Sequence, residues 1–158
     1  MHEADEVEAW LGPGGLVAQA VPGYEPRAAQ LEMASAVLAA LRTDGTLMVE
    51  AGTGTGKTLA YLIPALMSGK KVVISTGTKT LQDQIVQRDL PLLSRIWPDE
   101  VSAACMKGLP NYLCLRRYEE FRRSAAAVHG EASRALPLIE HFRGVSETGD
   151  RAELAELE

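Results

Sequence analysis

The sequence predicts an α/β fold, a parallel sheet followed by a mostly helical segment. Three observations predict it. Short apolar runs alternate with stretches of helical periodicity, and strands alternating with helices assemble into parallel sheets. The segment LMVEAGTGTGKTLAYLIPAL, residues 47–66, passes from one such run through a glycine-rich loop into a helical pattern. From about residue 107 the alternation stops, and the remaining third of the chain reads as helix.

Residues 4–11 form an acidic helix, stopped by Gly12-Pro13-Gly14-Gly15, a strong breaker. Pro22-Gly23 makes a turn, and Pro26 suits the first position of a helix in which Leu31, Ala34, Leu38 and Leu41 recur at three and four residues. Asp44-Gly45 ends it. Leu47, Met48 and Val49 are the first strand, and Leu59, Leu62, Ile63 and Leu66 mark the helix after the loop. Residues 71–75, KVVIS, are a β-branched second strand. Residues 80 to about 93 are helical with Leu81, Ile85, Leu92 and Leu93 apolar, and Thr78 or Thr80 is the cap. Residues 101–106 are a third strand candidate, broken by Lys107-Gly108-Leu109-Pro110. Helices are then expected at 112–124, which carries Arg116, Arg117, Arg122 and Arg123, at 131–142 and at 151–157.

The 158 residues are enough for a domain with a proper core. Hydrophobic residues at 46% and charged residues at 23% are ordinary for a globular chain. A net charge of −5 gives no bulk electrostatic support to a nucleic-acid partner, though an acidic protein can carry a local basic groove. No apolar run approaches a membrane span, and the start MHEADE is acidic, the opposite of a secretory leader. Cys105 and Cys114 show no CxxC spacing, so no disulfide framework is expected. These features point to a cytoplasmic chain with no membrane partner.

The loop carries the chemistry. Ala51-Gly52-Thr53-Gly54-Thr55-Gly56-Lys57-Thr58 fits the phosphate-loop pattern, except that Ala51 stands where the pattern has its first glycine. Glycines let the backbone turn and aim its N–H groups at phosphates. Lys57 supplies a charge at the β/γ-phosphates and the Thr58 hydroxyl a ligand for Mg²⁺. A helix opening at Lys57 adds its positive end. A strand-to-helix turn that binds nothing would look similar, but the required strand-before, helix-after context is present.

Three further segments narrow the reading. Tyr24-Glu25-Pro26-Arg27-Ala28-Ala29-Gln30 precedes the loop, and a glutamine amide offers a donor and an acceptor matching the adenine edge. Taken alone, Gln30 would be a solvated helix residue. Ser75-Thr76-Gly77-Thr78-Lys79-Thr80-Leu81-Gln82-Asp83-Gln84 lies at the carboxyl end of the second strand, where α/β sheets bind ligands. Its hydroxyls and helix start suit a nucleic-acid backbone or simply cap a helix. KGLPNYLC, residues 107–114, ends in a cysteine that alone would be an idle thiol.

In order and spacing these segments resemble the DinG/XPD-like superfamily 2 DNA helicases, nearest the DinG and YoaA branch. YEPRAAQLEMA matches the Q motif, EAGTGTGKTLAYL motif I and ISTGTKTLQDQI motif Ia, with KGLPNYLCLRRYE after them. The resemblance implies a RecA-like phosphate-loop NTPase sheet, ATP with Mg²⁺ as cofactors, and 5′→3′ unwinding of single-stranded or forked DNA coupled to ATP hydrolysis. Arg27, Gln30 and residues 51–58 would contact the nucleotide, with Lys57 and Thr58 catalytic. Thr76, Thr78 and Gln84 would contact DNA. Cys114 would be the first of four ligands to a four-iron iron–sulfur cluster in the full-length protein, and TGDRAEL, residues 148–154, resembles the segment before the other three. The implied organisation is an N-terminal helix and turn at 1–23, the first part of motor domain 1 at 24–106 and the start of an iron–sulfur domain at 107–158.

The pattern also stops short. An Asp-Glu motif and a second motor domain are not in these residues, and Asp99-Glu100 follows Trp97-Pro98 rather than an apolar strand. The expectation is therefore the amino-terminal portion of a longer helicase. Two alternatives stand beside it, a catalytically inactive ATP- or DNA-binding fragment and a small-molecule kinase. Oligomeric state is not legible.

Overall fold

The computed structural model of the chain describes residues 3–124 and 131–154. It divides into two compact units, Met1–Cys105 and Met106–Glu158.

In the first unit, α1 (Glu3–Leu11) opens with Glu3, Asp5 and Glu6 in its first turn, where carboxylates meet the positive helix end. Val7 and Leu11, one turn apart, are its buried face. Gly12 stops it at close quarters: a Cβ there would sit 2.5 Å from the Glu8 carbonyl oxygen. A five-residue helix, α2 (Leu16–Ala20), comes next and buries Val17. Its sequence gives no warning, because five residues between breakers show no periodicity. Helix α3 (Ala28–Thr43) starts after Pro26 rather than on it, with Arg27 as its extended N-cap. Gln30, Ala34 and Leu38 are its buried stripe. It closes on Asp44 in the left-handed conformation, φ 53, and Lys70 Nζ reaches the Asp44 carboxylate at 2.5 Å.

Helix α4 (Lys57–Met67) buries Ala60, Leu62, Ile63 and Pro64 against α3 and α1. The expected helix at 80–93 runs instead from Lys79 to Ile96 in three parts: α5 (Lys79–Gln84), a π-helical turn (Ile85–Asp89) and α6 (Leu90–Ile96). Pro91 accounts for the irregularity, since it cannot donate back into the preceding turn and its ring crowds the carbonyl there. The Leu90 N–H bonds to Ile85 O, five residues back, the signature of a π-bulge. Leu93 completes the core, and Trp10 stacks on Trp97 at 4.1 Å between ring centroids and 22° between planes.

The parallel sheet expected from the sequence is not formed among the described residues. Segments 47–49, 71–75 and 101–106 take no regular secondary structure and make no ladder, and the isolated bridge that does form is antiparallel, Tyr112 with Asp150. An extended segment becomes a strand only when neighbours take up its N–H and C=O groups. Two of the three nevertheless keep the period-two alternation of a strand. Leu47 and Val49 are 41% and 43% exposed against 97% for Met48, and Val72 and Ile74 are 38% and 39% exposed against 89% for Val73.

The second unit is helical, as expected. A 3₁₀ turn (Leu109–Asn111) leads to α7 (Leu115–Arg122), and α8 (Glu131–Val145) carries Pro137 within it. The expected start at 112 fails because Tyr112 pairs with Asp150 and the Leu113 N–H bonds to Gly149 O at 2.8 Å. The helix expected at 151–157 is a 3₁₀ turn (Arg151–Glu153), and residues 155–157 lie outside the described residues. Tyr118 and Phe142 are buried, the Arg143 guanidinium lies 5.5 Å from the Tyr118 ring centre, and Lys107 pairs with Asp150 at 2.7 Å largely out of solvent.

Candidate nucleotide site

The loop at 51–58 joins the irregular segment 45–50 to the first turn of α4, and two of its glycines take a left-handed conformation. Gly54 and Gly56 have φ of +76° and +78°, a region that L side chains rarely adopt. At Gly54 an added Cβ would meet nothing within 4 Å, so backbone conformation alone demands glycine. At Gly56 the Cβ would lie 2.2 Å from Gln30 Nε2, so glycine is needed twice over.

That close approach is the centre of the site. The Gln30 side chain, 3% exposed, donates from Nε2 to Gly56 O at 3.0 Å. The Tyr24 hydroxyl lies 2.7 Å from Gln30 Oε1 and 2.9 Å from Leu11 O. The Arg27 guanidinium donates to Gly54 O. Within the loop, Thr55 Oγ1 donates to Gly52 O at 3.0 Å, while Lys57 Nζ bonds Ala51 O at 2.9 Å and Gly52 O at 2.5 Å. Thr53 and Gly52 are exposed beside it. The structure therefore gathers Arg27, Gln30, Ala51, Gly52 and residues 54–57 around one loop, although the bonded pairs Arg27–Gly54 and Gln30–Gly56 are 27 and 26 residues apart in sequence. Thr58, the second residue of α4, hydrogen-bonds Tyr61; burial raises the Tyr61 phenol above its usual range and this bond partly opposes the rise.

A cavity of about 240 Å³ opens beside this network, lined by Tyr24, Arg27, Gln30, Gly56, Leu59, Arg88, Asp89 and neighbours. Asp89 is 7% exposed, and burial pushes its carboxyl above the usual carboxylate range. Burial likewise raises the Tyr24 phenol, against the pull of the Arg27 charge. Sequence reasoning misses both Tyr24 and Asp89 as site residues. Tyr24 could have been found from its place six residues before Gln30; Asp89 lies on the π-helical turn, whose position only Pro91 hints at.

The residues expected to contact DNA stand around the start of α5. Thr78 caps it, its Oγ1 accepting from Leu81 N at 3.3 Å, and Thr76 Oγ1 donates to Thr78 O at 3.1 Å. Gln84 points elsewhere, donating to Asp89 Oδ2 at 3.2 Å. Cys114, in the second unit, is an exposed free thiol at the N-cap of α7, and Cys105 in the first unit is also exposed and free. Among the described residues no group of three or more His, Cys, Asp or Glu stands together to hold a metal ion. A four-iron cluster takes four thiolates, so the two cysteines of this chain do not by themselves fit one.

Comparison with known proteins gives the family. The family model for DEAD/DEAH box helicases matches residues 27–141. The ATP-dependent DNA helicase YoaA of Haemophilus influenzae is 46% identical over 145 residues, covering 90% of this chain and 22% of that protein. YoaA of Escherichia coli is 54% identical over 110 residues, 70% of this chain and 17% of its own length. The 3'-5' exonuclease DinG of Bacillus subtilis is 40% identical over 120 residues, 73% of this chain and 13% of its own. The chain spans about a fifth of the length of the first of these relatives.

Proposed function

The chain belongs to the DEAD/DEAH box helicase family, and with it to the phosphate-loop NTPase fold, and from that premise we propose that it carries the ATP-binding part of a DinG-like, ATP-dependent DNA helicase. One observation carries this reading: Arg27 and Gln30 bond to the carbonyls of Gly54 and Gly56, tying the Q-motif segment to the phosphate loop. The cavity beside them would take the base, the loop N–H groups the phosphates. Lys57 would turn from Ala51 O and Gly52 O to the β/γ-phosphates, and Thr58 would ligate Mg²⁺.

The finer features extend the same reading. Segments 47–49, 71–75 and 101–106 are strands of a parallel RecA-like sheet in the whole protein, which the retained alternation of the first two supports. Thr76 and Thr78 follow the carboxyl end of the second of these, where DNA would pass, and Gln84 would have to leave Asp89 to join them. Single-stranded or forked DNA is the substrate, and the cytoplasm the compartment. Among the described residues no helix is long and apolar enough to cross a membrane. Cys114 would supply one of four cluster thiolates, with the others outside this chain's own cysteine set.

Unwinding belongs to the whole protein. The 158 residues alone should bind Mg·ATP weakly and show no DNA-stimulated turnover. The test is ATP binding and steady-state hydrolysis with and without single-stranded DNA, using Lys57→Ala as control. Unchanged nucleotide affinity in Lys57→Ala would overturn the phosphate-loop assignment. A surviving ATP-over-GTP preference in Gln30→Ala would overturn the base-reading role of Gln30.

A further inference from the structure

We propose that the Asp89 carboxylate is the sugar-binding group of the nucleotide cavity, accepting a hydrogen bond from a ribose hydroxyl. This rests on the reading that the phosphate loop and the cavity beside it bind an adenine nucleotide.

Asp89 takes no part in shaping the loop, yet it is 7% exposed and lines the cavity together with Gln30 and Gly56. It stands at the end of the π-helical turn (Ile85–Asp89), a distortion that helices commonly keep at functional sites. A carboxylate has two oxygens and about four places for a donor. Among the described residues one hydrogen bond reaches this one, from Gln84 Nε2 to Oδ2 at 3.2 Å. Burial therefore raises the carboxyl, and the Gln84 bond and the Arg88 charge only partly oppose the rise. A buried acceptor with spare lone pairs is stabilised by a ligand that brings it a donor.

An adenine nucleotide has two kinds of donor, the base amine and the sugar hydroxyls. The amine is flanked by ring nitrogens that only accept, so a carboxylate set against that edge meets their lone pairs. An amide, donor and acceptor together, is the group that fits there. A ribose hydroxyl has no such neighbour, and acidic side chains take ribose hydroxyls in dinucleotide-binding folds. Position agrees with chemistry. The sugar joins base to phosphates, and Asp89 shares its cavity with Gln30 on the base side and with Gly56 at the end of the phosphate loop.

The experiment titrates the 158-residue chain, followed by NMR, with Mg·ATP, its 2′-deoxy and 3′-deoxy analogues, and Mg·tripolyphosphate, which has phosphates and no sugar. Wild type should bind ATP roughly ten- to hundredfold tighter than at least one deoxy analogue, the worth of a hydrogen bond to a charged group. Asp89→Ala should lower ATP to the affinity of that analogue and leave tripolyphosphate unchanged, with the exposed Gln84 turning to water. Asp89→Asn keeps the oxygen that Gln84 needs and should narrow the same ratio, so the test stands even if the alanine variant does not fold. Equal ATP and deoxy affinities in wild type, or a ratio unmoved in both variants, would overturn the proposal. So would an equal loss of tripolyphosphate affinity, which would make Asp89 a support of the loop. A changed preference between ATP and inosine triphosphate, with the deoxy ratio unmoved, would put the carboxylate on the base amine and overturn it as well. Failure of the underlying site is distinguishable, because Lys57→Ala would then leave tripolyphosphate binding intact.

Discussion

Gly54→Ala and Gly56→Ala form a matched pair that separates backbone strain from side-chain packing. The two glycines sit two residues apart with φ of +76° and +78°. Alanine in either place meets the left-handed penalty of about 1–2 kcal/mol. At Gly54 nothing lies within 4 Å of the new Cβ, so the cost ends there. At Gly56 the Cβ would lie 2.2 Å from Gln30 Nε2 and 2.9 Å from its Cδ, so the amide must move and lose its bond to Gly56 O. That adds roughly 0.5–1.5 kcal/mol, for a total of about 1.5–3.5 kcal/mol. The assay is urea unfolding monitored by tryptophan fluorescence. Trp10 and Trp97 are the chain's two tryptophans and stack on each other in the first unit, so the signal reports the unit that holds the loop. Equal losses in the two variants would refute the clamp of Gln30 on the loop. A Gly56→Ala loss below about 0.5 kcal/mol would refute the strain argument as well.

Lys57→Ala should lower Mg·ATP affinity at least tenfold without lowering stability by more than about 1 kcal/mol, since its bonds to Ala51 O and Gly52 O join groups close to solvent; isothermal titration and urea unfolding check the two halves. Asp89→Asn should raise the melting temperature at pH 7, because the burial that raises the Asp89 carboxyl penalises its charged form and asparagine still accepts from Gln84. The sign comes from a folded value above the unfolded one of about 3.9. Wild-type stability is fully present below that pH and falls as pH rises through the folded value, so the advantage of asparagine should disappear below about pH 4. In the second unit, Asp150→Asn removes the carboxylate charge that faces the largely buried Lys107 ammonium at 2.7 Å and should destabilise that unit, read by hydrogen exchange of α7 and α8.

The helices were legible where periodicity was long. The stripe of Leu31, Ala34 and Leu38 announced α3, and Leu59, Leu62 and Ile63 announced α4, because each repeats over several turns and faces one core. The loop was legible because its chemistry is local: glycines at 52, 54 and 56, then Lys57 and Thr58. What escaped depends on tertiary meetings. Tyr24 reads as a turn residue until Leu11 and Gln30 arrive on either side of it. Asp89 reads as a surface charge until the π-helical turn carries it to the cavity. The apolar runs at 47–49 and 71–75 do have strand patterning, but a ladder is a property of neighbours and no single segment contains it. The Arg151 helix failed for the same kind of reason, since Asp150 is committed to Tyr112 and Lys107 before a helix can start.

The stacked indoles also set a timetable for biosynthesis. Trp97 lies about 90 positions beyond Trp10, yet the two rings close the same core. At ribosomal speeds of about 5–20 residues per second, roughly 5–20 s separate their appearance. Throughout that interval α1 has been made but its outermost contact has not, so the first helix emerges as an amphipathic peptide with Trp10 uncovered. A translational pause placed before codon 97 would prolong that exposure, whereas one placed well beyond codon 97 would let the two rings meet before synthesis ends.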